Sequence, residues 1–289
     1  MIFIINNNIK KFFFLIISFI LGFSSCKEYG CTDASAINFN LNATEDDGSC
    51  NYNECLETDT DCLEINFHHF VDDLEIIFGN DNINYQNNAG NHYSVRRILY
   101  VLSEIMLFFE DGTTLLLDEF FFINTDDPQT LTKTLYNLPA LSSGISFTLG
   151  FRTKNNIDNQ YINVENNFHS LMLWPNTNGV NLAFQGGYHY MKLEGKYLDE
   201  LGQEKFYNHH TGPTNGSDFS FYQFIFNYSG SDGFNGVSNS ISINMNVNNF
   251  YNDPVYDFNI FGSGIMDNID AQWNLFQNAG DVFYVATNY

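Results

Sequence analysis

The dipeptide Asp111-Gly112 divides residues 96–123 into two runs that are rich in apolar residues. Glycine accepts the left-handed backbone that a tight turn requires, and Asp-Gly between two apolar, alternating runs is a strong signal for a β-hairpin. The stretch is therefore predicted to form two antiparallel strands. A chain that places so much of its apolar sequence in a hairpin is directed toward a β fold.

Several other segments have the features of strands. Residues 63–70 alternate in polarity, so that one side of the strand would carry Leu63, Ile65, Phe67 and His69. Further strands are predicted at residues 144–151, 188–198, 219–229 and 240–250. The 30 Phe and 17 Tyr residues favour strands and can fill a core. Many strands separated by turn signals indicate an all-β fold, an antiparallel β-sandwich of Ig-like or jelly-roll-like type.

One segment near the C-terminal end has helical spacing. Within residues 265–279, one face of a helix would carry Ile265, Ile269, Trp273 and Phe276, and Gly280 follows as a stop signal. We expect one short C-terminal helix that packs this face, including Trp273, against the core.

The first 25 residues have the layout of an export signal. Lys10 and Lys11 precede the apolar run 12–23, and two serines lead up to Cys26. A basic region, an apolar region and a small-residue cleavage site are typical of a secretory signal, and the sequence ending at Cys26 resembles a bacterial lipobox. Cys26 would then be the lipidated first residue of a lipoprotein anchored to a membrane of the cell envelope. The alternative is an ordinary signal peptide followed by a spare cysteine.

Four cysteines remain after Cys26, and all lie within one short stretch: Cys31, Cys50, Cys55 and Cys62. An even number of clustered cysteines in an exported chain predicts two disulfides, and three pairings are open. The paired spacing that is typical of zinc sites is absent.

Residues 30–52 resemble a short module of exported Bacteroidota proteins with the form GCTD…DDGSC. Its aspartates, Asp33, Asp46 and Asp47, are either calcium ligands or solvated turn formers, and the second interpretation is the simpler one. Residues 26–62 are predicted to be a cysteine-rich spacer, and residues 63–289 are predicted to be one domain.

The net charge and the absence of catalytic motifs exclude several classes of function. The chain carries 11 Lys+Arg against 34 Asp+Glu, a formal net charge of −23, so that the phosphates of nucleic acid would be repelled. The sequence has no nucleophile elbow, no phosphate-binding loop and no HExxH zinc motif. We therefore expect a binding protein with no nucleic-acid partner, and not an enzyme.

Residues 168–213 bring Trp174 together with four of the seven histidines: His169, His189, His209 and His210. Imidazole is a good copper ligand, and copper exceeds the other divalent metals in affinity for nitrogen sites. Neighbouring residues of a strand face opposite sides, so only one of His209 and His210 can reach a common site. The alternative for each histidine is a hydrogen-bonded residue of the core.

Six sequence blocks follow one another along residues 63–289: FHHFVDDLEI (67–76), RRILYVLSEIMLFFEDGT (96–113), LMLWPNTNGV (171–180), GGYHYMKLEG (186–195), HHTGP (209–213) and IDAQWNLFQNAGDVFYV (269–285). Together they resemble the MbnP-like copper-binding domain, a family of exported β-sandwich proteins with many lipoprotein relatives in Bacteroidota. The KLEG sequence (192–195) and the tryptophan-bearing block before it are the most diagnostic parts.

The resemblance implies a copper site made of histidine and a tryptophan that a dihaem enzyme related to MauG oxidises to kynurenine. His69 matches the histidine of the family's opening F-x-H-x-V motif, and Trp174 lies in the block that corresponds to the tryptophan-bearing segment. Together with the histidine-rich window, the predicted metal-site residues are His69, His169, His189, His210 and Trp174. The implied role is copper sequestration, or delivery to a copper-handling partner. The alternative is a surface module that binds glycan or protein without a metal.

Overall fold

The computed structural model describes residues 27–33, 36, 38–50, 55–56, 58–217, 222–228 and 237–287. The chain divides into two compact units, Met1–Glu54 and Cys55–Tyr289. The export signal and the lipidation site Cys26 lie outside the described residues. Within the described ranges, no helix has the length and apolar character needed to cross a membrane.

Strands dominate the larger unit, which confirms the expected β-sandwich. Within the described residues, the smaller unit has the strands β1 (Tyr29–Gly30) and β2 (Glu45–Asp46). The larger unit has β3 (Leu63–Val71), β4 (Leu74–Glu75), β5 (Tyr85–Gln86), β6 (His92–Tyr93), β7 (Arg97–Phe108), β8 (Thr114–Leu116), β9 (Phe121–Asn124), β10 (Thr132–Leu135), β11 (Gly144–Leu149), β12 (Met191–Leu198), β13 (Glu204–Thr211), β14 (Gln223–Asn227), β15 (Ser240–Asn246) and β16 (Phe283–Thr287). The α-helices are α1 (Phe168–Met172), α2 (Phe258–Phe261) and α3 (Ile269–Asn278). Short 3₁₀ helices stand at Pro128–Leu131, Thr153–Asn155, Thr214–Gly216, Val247–Tyr251 and Ala279–Asp281.

The smaller sheet of this unit has the strand order β10-β3-β15-β16, with β4 paired to β3. Along β3, fully buried residues alternate with partly buried ones, as the polarity of the sequence predicts. β15 runs parallel to β3 and places Ile243 opposite Phe67. The other two neighbours on this path are antiparallel. The parallel pair joins a strand from the N-terminal part of this unit's sequence to one from its C-terminal part.

The larger, nine-stranded sheet is built around β7 and β12. Its path is β14-β11-β7-β12-β6-β5, with β13 paired to β12 and with β8 and β9 both paired to β7. The predicted hairpin is present: Gly112 has a φ of +82°, and the Asp111 carboxylate accepts a hydrogen bond from the backbone N–H of Thr113 at 2.8 Å. The returning arm is divided into β8 and β9, which pair separately with β7.

The nine-stranded sheet is buried on both faces. Tyr100 of β7 lies in the inner core, which also contains Ile65 and Ile243 of the smaller sheet. The next residue, Val101, belongs to a second cluster, which includes Phe168 of α1. Because successive residues of a strand point to opposite faces, the sheet separates an inner core from an outer one that the segment between β11 and β12 covers.

Helix α3 forms where the helical spacing predicts it, but it packs through a different face. Trp273 is 45% exposed, whereas Leu275 and Gln272 are buried. The prediction that Trp273 lies in the core is therefore wrong. The Gln272 amide donates hydrogen bonds to the carbonyl oxygens of His210 at 2.7 Å and Ile265 at 3.1 Å, and these bonds fix the rotation of the helix. Helices α1 and α2 and strand β13 are further elements that the sequence patterns did not indicate.

Both expected disulfides form: Cys31 bonds to Cys50 in the smaller unit, and Cys55 bonds to Cys62 in the larger one. In the smaller unit, the carboxylates of Asp46 and Asp47 each accept a hydrogen bond at 2.9 Å from the backbone N–H two residues further on. Aspartates that bond in this way stabilise turns. The geometry of these two residues is thus that of turn formers.

Candidate metal centre

Three of the predicted site residues come together on the outer side of the nine-stranded sheet. His210 lies on β13, His189 lies just before β12, and Trp174 follows α1 in the covering segment. The centroid of the His189 ring is 4.8 Å from that of Trp174 and 5.2 Å from that of His210. An isolated β-bridge between Leu173 and Tyr188 ties together the two stretches that carry Trp174 and His189.

One ring nitrogen of His189 is buried and lacks a hydrogen-bond partner within the described residues. Its Nδ1 lies 3.0 Å from the carbonyl oxygen of Met172. A carbonyl only accepts hydrogen bonds, so Nδ1 carries the proton and Nε2 holds a lone pair. Among the described residues, Nε2 has no hydrogen-bond partner. Burial lowers the pKa of His189 to about 3, with a smaller effect from His210, so the ring is neutral at pH 7.

His210 faces a carboxylate. Its Nε2 lies 2.8 Å from Oε1 of Glu194, and Oε2 of Glu194 accepts a hydrogen bond from Nε of Arg97 at 2.6 Å. Burial alone would raise the pKa of Glu194, but the hydrogen bonds from His210 and Arg97, together with the guanidinium charge of Arg97, outweigh it and lower the pKa to about 2. An ionised carboxylate only accepts, so Nε2 of His210 carries a proton. In the neutral ring, which the burial-lowered pKa of His210 favours, Nδ1 then holds the lone pair.

Trp174 forms a fixed wall of the site. It is fully buried, and its indole Nε1 donates a hydrogen bond to the carbonyl oxygen of Ala183 at 3.0 Å. On the other side, Gly212 lies so close to the indole that an added Cβ would stand 2.3 Å from Cε3 of the ring. Position 212 therefore admits only glycine without a shift of the tryptophan.

Two other histidines lie in the inner core. His69 points inward from β3 and is 3% exposed, and its Nε2 lies 3.2 Å from the hydroxyl oxygen of Tyr100. Burial lowers the pKa of His69 to about 3. His209 is fully buried, with Nδ1 3.0 Å from the Tyr251 hydroxyl oxygen. His209 and His210 thus face opposite sides of the sheet, as the strand geometry predicts. The sheet separates His69 from His189 and His210.

His169 borders the site without entering it. It lies on α1, and its Nδ1 is 2.9 Å from the hydroxyl oxygen of Tyr188, the residue before His189. Across the part of the chain that the structure describes, no group of three or more His, Cys, Asp or Glu side chains is arranged to hold a metal ion. The predicted histidines therefore do not form one cluster, and His189 and His210 are the pair that the fold brings together beside Trp174.

Glu194 and Lys192 are site residues to which the sequence patterns assign no role. Both belong to the KLEG sequence, and their spacing of two puts them on the same face of β12. β13 pairs with β12 so that His210 stands directly opposite Lys192. A carboxylate and a histidine on paired strands would have been the available signal, but the pairing of β12 with β13 had to be known first.

Comparison with known proteins agrees with this architecture. The family model for MbnP matches residues 60–267. Among solved structures, MbnP from Methylosinus trichosporium matches with a TM-score of 0.54 and 11% sequence identity, covering 80% of this chain and 100% of that chain. At this identity the structural match supports the fold alone. A search of the curated proteins gave no significant match.

Proposed function

The chain belongs to the MbnP family, a family associated with copper-related function, and from this premise we propose that it binds copper through His189 and His210 beside Trp174. The ligand atoms would be Nε2 of His189 and Nδ1 of His210. The role is copper sequestration or delivery, without catalysis by this chain.

The observation that carries the proposal is the unpaired lone pair on Nε2 of His189, beside the ring of His210; Nε2 of His209 also lacks a partner among the described residues, but it lies in the inner core on the other side of the sheet. A buried polar atom without a partner is costly, and such atoms are rare in folded proteins. Protonation does not relieve the cost at neutral pH, because burial lowers the pKa of His189 to about 3. A metal ion bound to Nε2 would satisfy the lone pair without adding a proton.

The donor set fits copper better than harder ions. Neutral imidazole suits copper, whereas calcium and magnesium prefer oxygen ligands. Cu(I) accepts a low number of ligands, which matches the two histidines. When bound, copper would supply a redox-active centre. The protein would orient the ligands, because Met172 and Glu194 hold the tautomers of His189 and His210, and the buried Trp174 would exclude water.

Fluorescence provides a direct test. The variant Trp273→Phe removes the exposed indole and leaves Trp174 as the only tryptophan. In this background, copper titration should quench Trp174, because the proposed ligand His189 lies 4.8 Å from it, centroid to centroid. The variants His189→Ala and His210→Ala should each weaken copper binding by more than the 10–100-fold that a missing outer-shell partner typically costs.

The matched control is His92→Ala, which removes an exposed histidine of β6. Its copper affinity should equal that of the parent, and His69→Ala should also keep copper while losing fold stability. Abolition of binding by His69→Ala, with no effect of His189→Ala, would place the copper in the inner core and refute the site. Absence of stoichiometric copper binding would refute the function.

The cell envelope is the proposed location of this function. The support is the export signal and Cys26, both of which lie outside the described residues. Cys26→Ser should release the protein from the membrane fraction. A dihaem enzyme related to MauG is the proposed partner for oxidation of Trp174, and peptide mass analysis of Trp174 from native cells would detect the product.

A separate groove supports a second candidate function, the binding of a glycan without metal. The groove has a volume of about 360 Å³ and is lined by the aromatic rings of Phe120 and Tyr161 together with Gln129, Lys133 and Glu165. Aromatic faces beside amides and charged groups suit sugar rings. A glycan array with Phe120→Ala and His189→Ala separates the two functions, because only Phe120→Ala should remove glycan binding.

A further inference from the structure

We propose that the KLEG sequence of β12 is the positioning element for both histidines, with Glu194 fixing His210 and Lys192 fixing the backbone that holds His189. This inference rests on the proposed copper site, and it assigns the two charged residues a role that deepens that function. We call the hydrogen bonds that Glu194 accepts from His210 and Arg97 the Glu194 arm, and the hydrogen bond that Lys192 donates to Leu171 the Lys192 arm. The bonds of both arms join buried or partly buried groups.

The Glu194 arm is held at both oxygens. Oε1 accepts from His210, and Oε2 accepts from Arg97, whose Nη1 also lies 3.3 Å from Oδ2 of Asp126. A carboxylate with both oxygens engaged cannot turn away from the imidazole. It therefore keeps the proton of His210 on Nε2 and directs the lone pair to Nδ1, as outer-shell carboxylates do for metal-binding histidines.

The Lys192 arm acts on the backbone at the end of α1. Nζ of Lys192 donates a hydrogen bond to the carbonyl oxygen of Leu171 at 3.1 Å. The next carbonyl, that of Met172, accepts from both the backbone N–H of His189 at 2.7 Å and its Nδ1 at 3.0 Å. Because Leu171 and Met172 are adjacent, the ammonium group of Lys192 anchors the backbone immediately before the Met172 carbonyl, which sets the tautomer of His189.

Gly195 completes the element by allowing close approach of the neighbouring chain. A Cβ at this position would lie 2.1 Å from the carbonyl oxygen of Ser94. This approach lets the backbone N–H of Arg96 reach the Glu194 carbonyl at 2.8 Å, and it sets the register in which Arg97 stands opposite Glu194. The KLEG sequence (192–195) thus places a cation and a carboxylate in the site and also sets the register of β12 against β7.

The test measures tautomers in the metal-free protein. With ¹⁵N-labelled histidine, two-bond ¹H–¹⁵N NMR spectra report which ring nitrogen carries the proton. We expect the proton on Nδ1 of His189 and on Nε2 of His210. In Glu194→Ala, His210 should become a mixture of both tautomers while His189 keeps its own. The isosteric Glu194→Gln preserves the side-chain shape and should give an intermediate result.

Copper affinity is measured on the same variants. Glu194→Ala and Lys192→Met should each weaken binding by about 10–100-fold, and Glu194→Gln should weaken it less. The matched control is Glu204→Gln, an exposed glutamate of β13 that pairs with Lys196, and it should bind copper like the parent.

The two proposals fail in distinguishable ways. Unchanged affinity in Glu194→Ala and Lys192→Met, in a protein that loses copper on His189→Ala, would overturn the positioning role and leave the copper site standing. If the protein binds no copper, the proposed function is refuted. The tautomers of His189 and His210 would still show whether their hydrogen-bond partners hold the two rings as proposed. A proton on Nδ1 of His210 in the parent protein would overturn the Glu194 arm in either case.

Discussion

Lowering the pH from 7.5 to 5.0 should destabilise the larger unit through its buried imidazoles. The pKa values of His69, His189 and His209 are each lowered to about 3, chiefly by burial, whereas a histidine in the unfolded chain titrates near ~6.5. Between these values the unfolded state binds more protons than the folded state, so the free energy of unfolding rises with pH. The contribution is complete above a pH of about 6.5 and is lost progressively as the pH falls toward 3.

The magnitude follows from the distance between the pH and the unfolded pKa. At a pH of 5.0, which is about 1.5 units below that pKa, protonation favours the unfolded state by about 2 kcal/mol for each buried histidine. The three residues together would remove about 6 kcal/mol, which is comparable to the whole stability of many domains, about 5–15 kcal/mol. Most carboxylates titrate below this pH range, near ~4, so they do not obscure the effect.

The assay is equilibrium urea unfolding at several pH values between 7.5 and 5.0. In His69→Gln, the free energy of unfolding should fall by about 2 kcal/mol less over this interval than in the parent, because one titrating group is gone. His68→Gln is the matched control, since it removes the partly buried neighbour on the other side of β3, and it should keep the parental loss. Equal losses in His69→Gln and the parent would show that the buried imidazole of His69 does not contribute to the pH dependence of stability.

Three further predictions concern packing and crosslinking. Gly212→Ala should lower stability by about 1–3 kcal/mol in thermal or urea unfolding, because its Cβ would overlap Trp174; unchanged stability would mean that the indole relaxes freely. Leu275→Ala should cost about 2–5 kcal/mol and Trp273→Ala less than about 1 kcal/mol in urea unfolding, and the reverse order would contradict the rotation of α3. Replacing both cysteines of the Cys55–Cys62 disulfide by alanine should cost about 2 kcal/mol for a loop with a sequence separation of 7, and no loss would show that the loop is ordered without it.

The features that the sequence predicts correctly depend on local patterns. β3 was recognisable because alternation with a period of two survives in its burial pattern. The hairpin at Asp111-Gly112 depends on one dipeptide and its flanks. The number of disulfides follows from an even count of clustered cysteines, whereas their pairing needed the fold.

The features that the sequence does not predict depend on distant partners. The rotation of α3 is set by Gln272, whose amide bonds the carbonyl oxygen of His210, 62 positions away. A pattern that counts only apolar residues cannot find such a bond, and it assigned Trp273 to the core instead. β13 was missed because its polar residues, with His209 inward and His210 outward, show no simple apolar alternation.

The candidate site is predicted by the sequence only in part. The sequence identified His189, His210 and Trp174 as members of one window, but it could not separate them from His69 or His169. The separation depends on which side of the nine-stranded sheet each ring occupies, and this follows from strand pairing. The tautomers depend further on Met172 and Glu194, which have no distinguishing mark in the sequence.

The parallel pairing of β3 with β15 has a consequence for the order of folding. Residues 63–71 obtain this partner only when residues 240–246 have been synthesised, and β15 is in turn flanked by residues 283–287. Closing so long a loop costs conformational entropy, and chains dominated by distant contacts fold slowly. As the exported chain folds, the β7–β8 and β7–β9 pairs close shorter loops and can form first, while one edge of β3 stays unpaired. Until β15 joins the sheet, residues 63–71 present an unpaired apolar edge, which is a template for pairing with another chain.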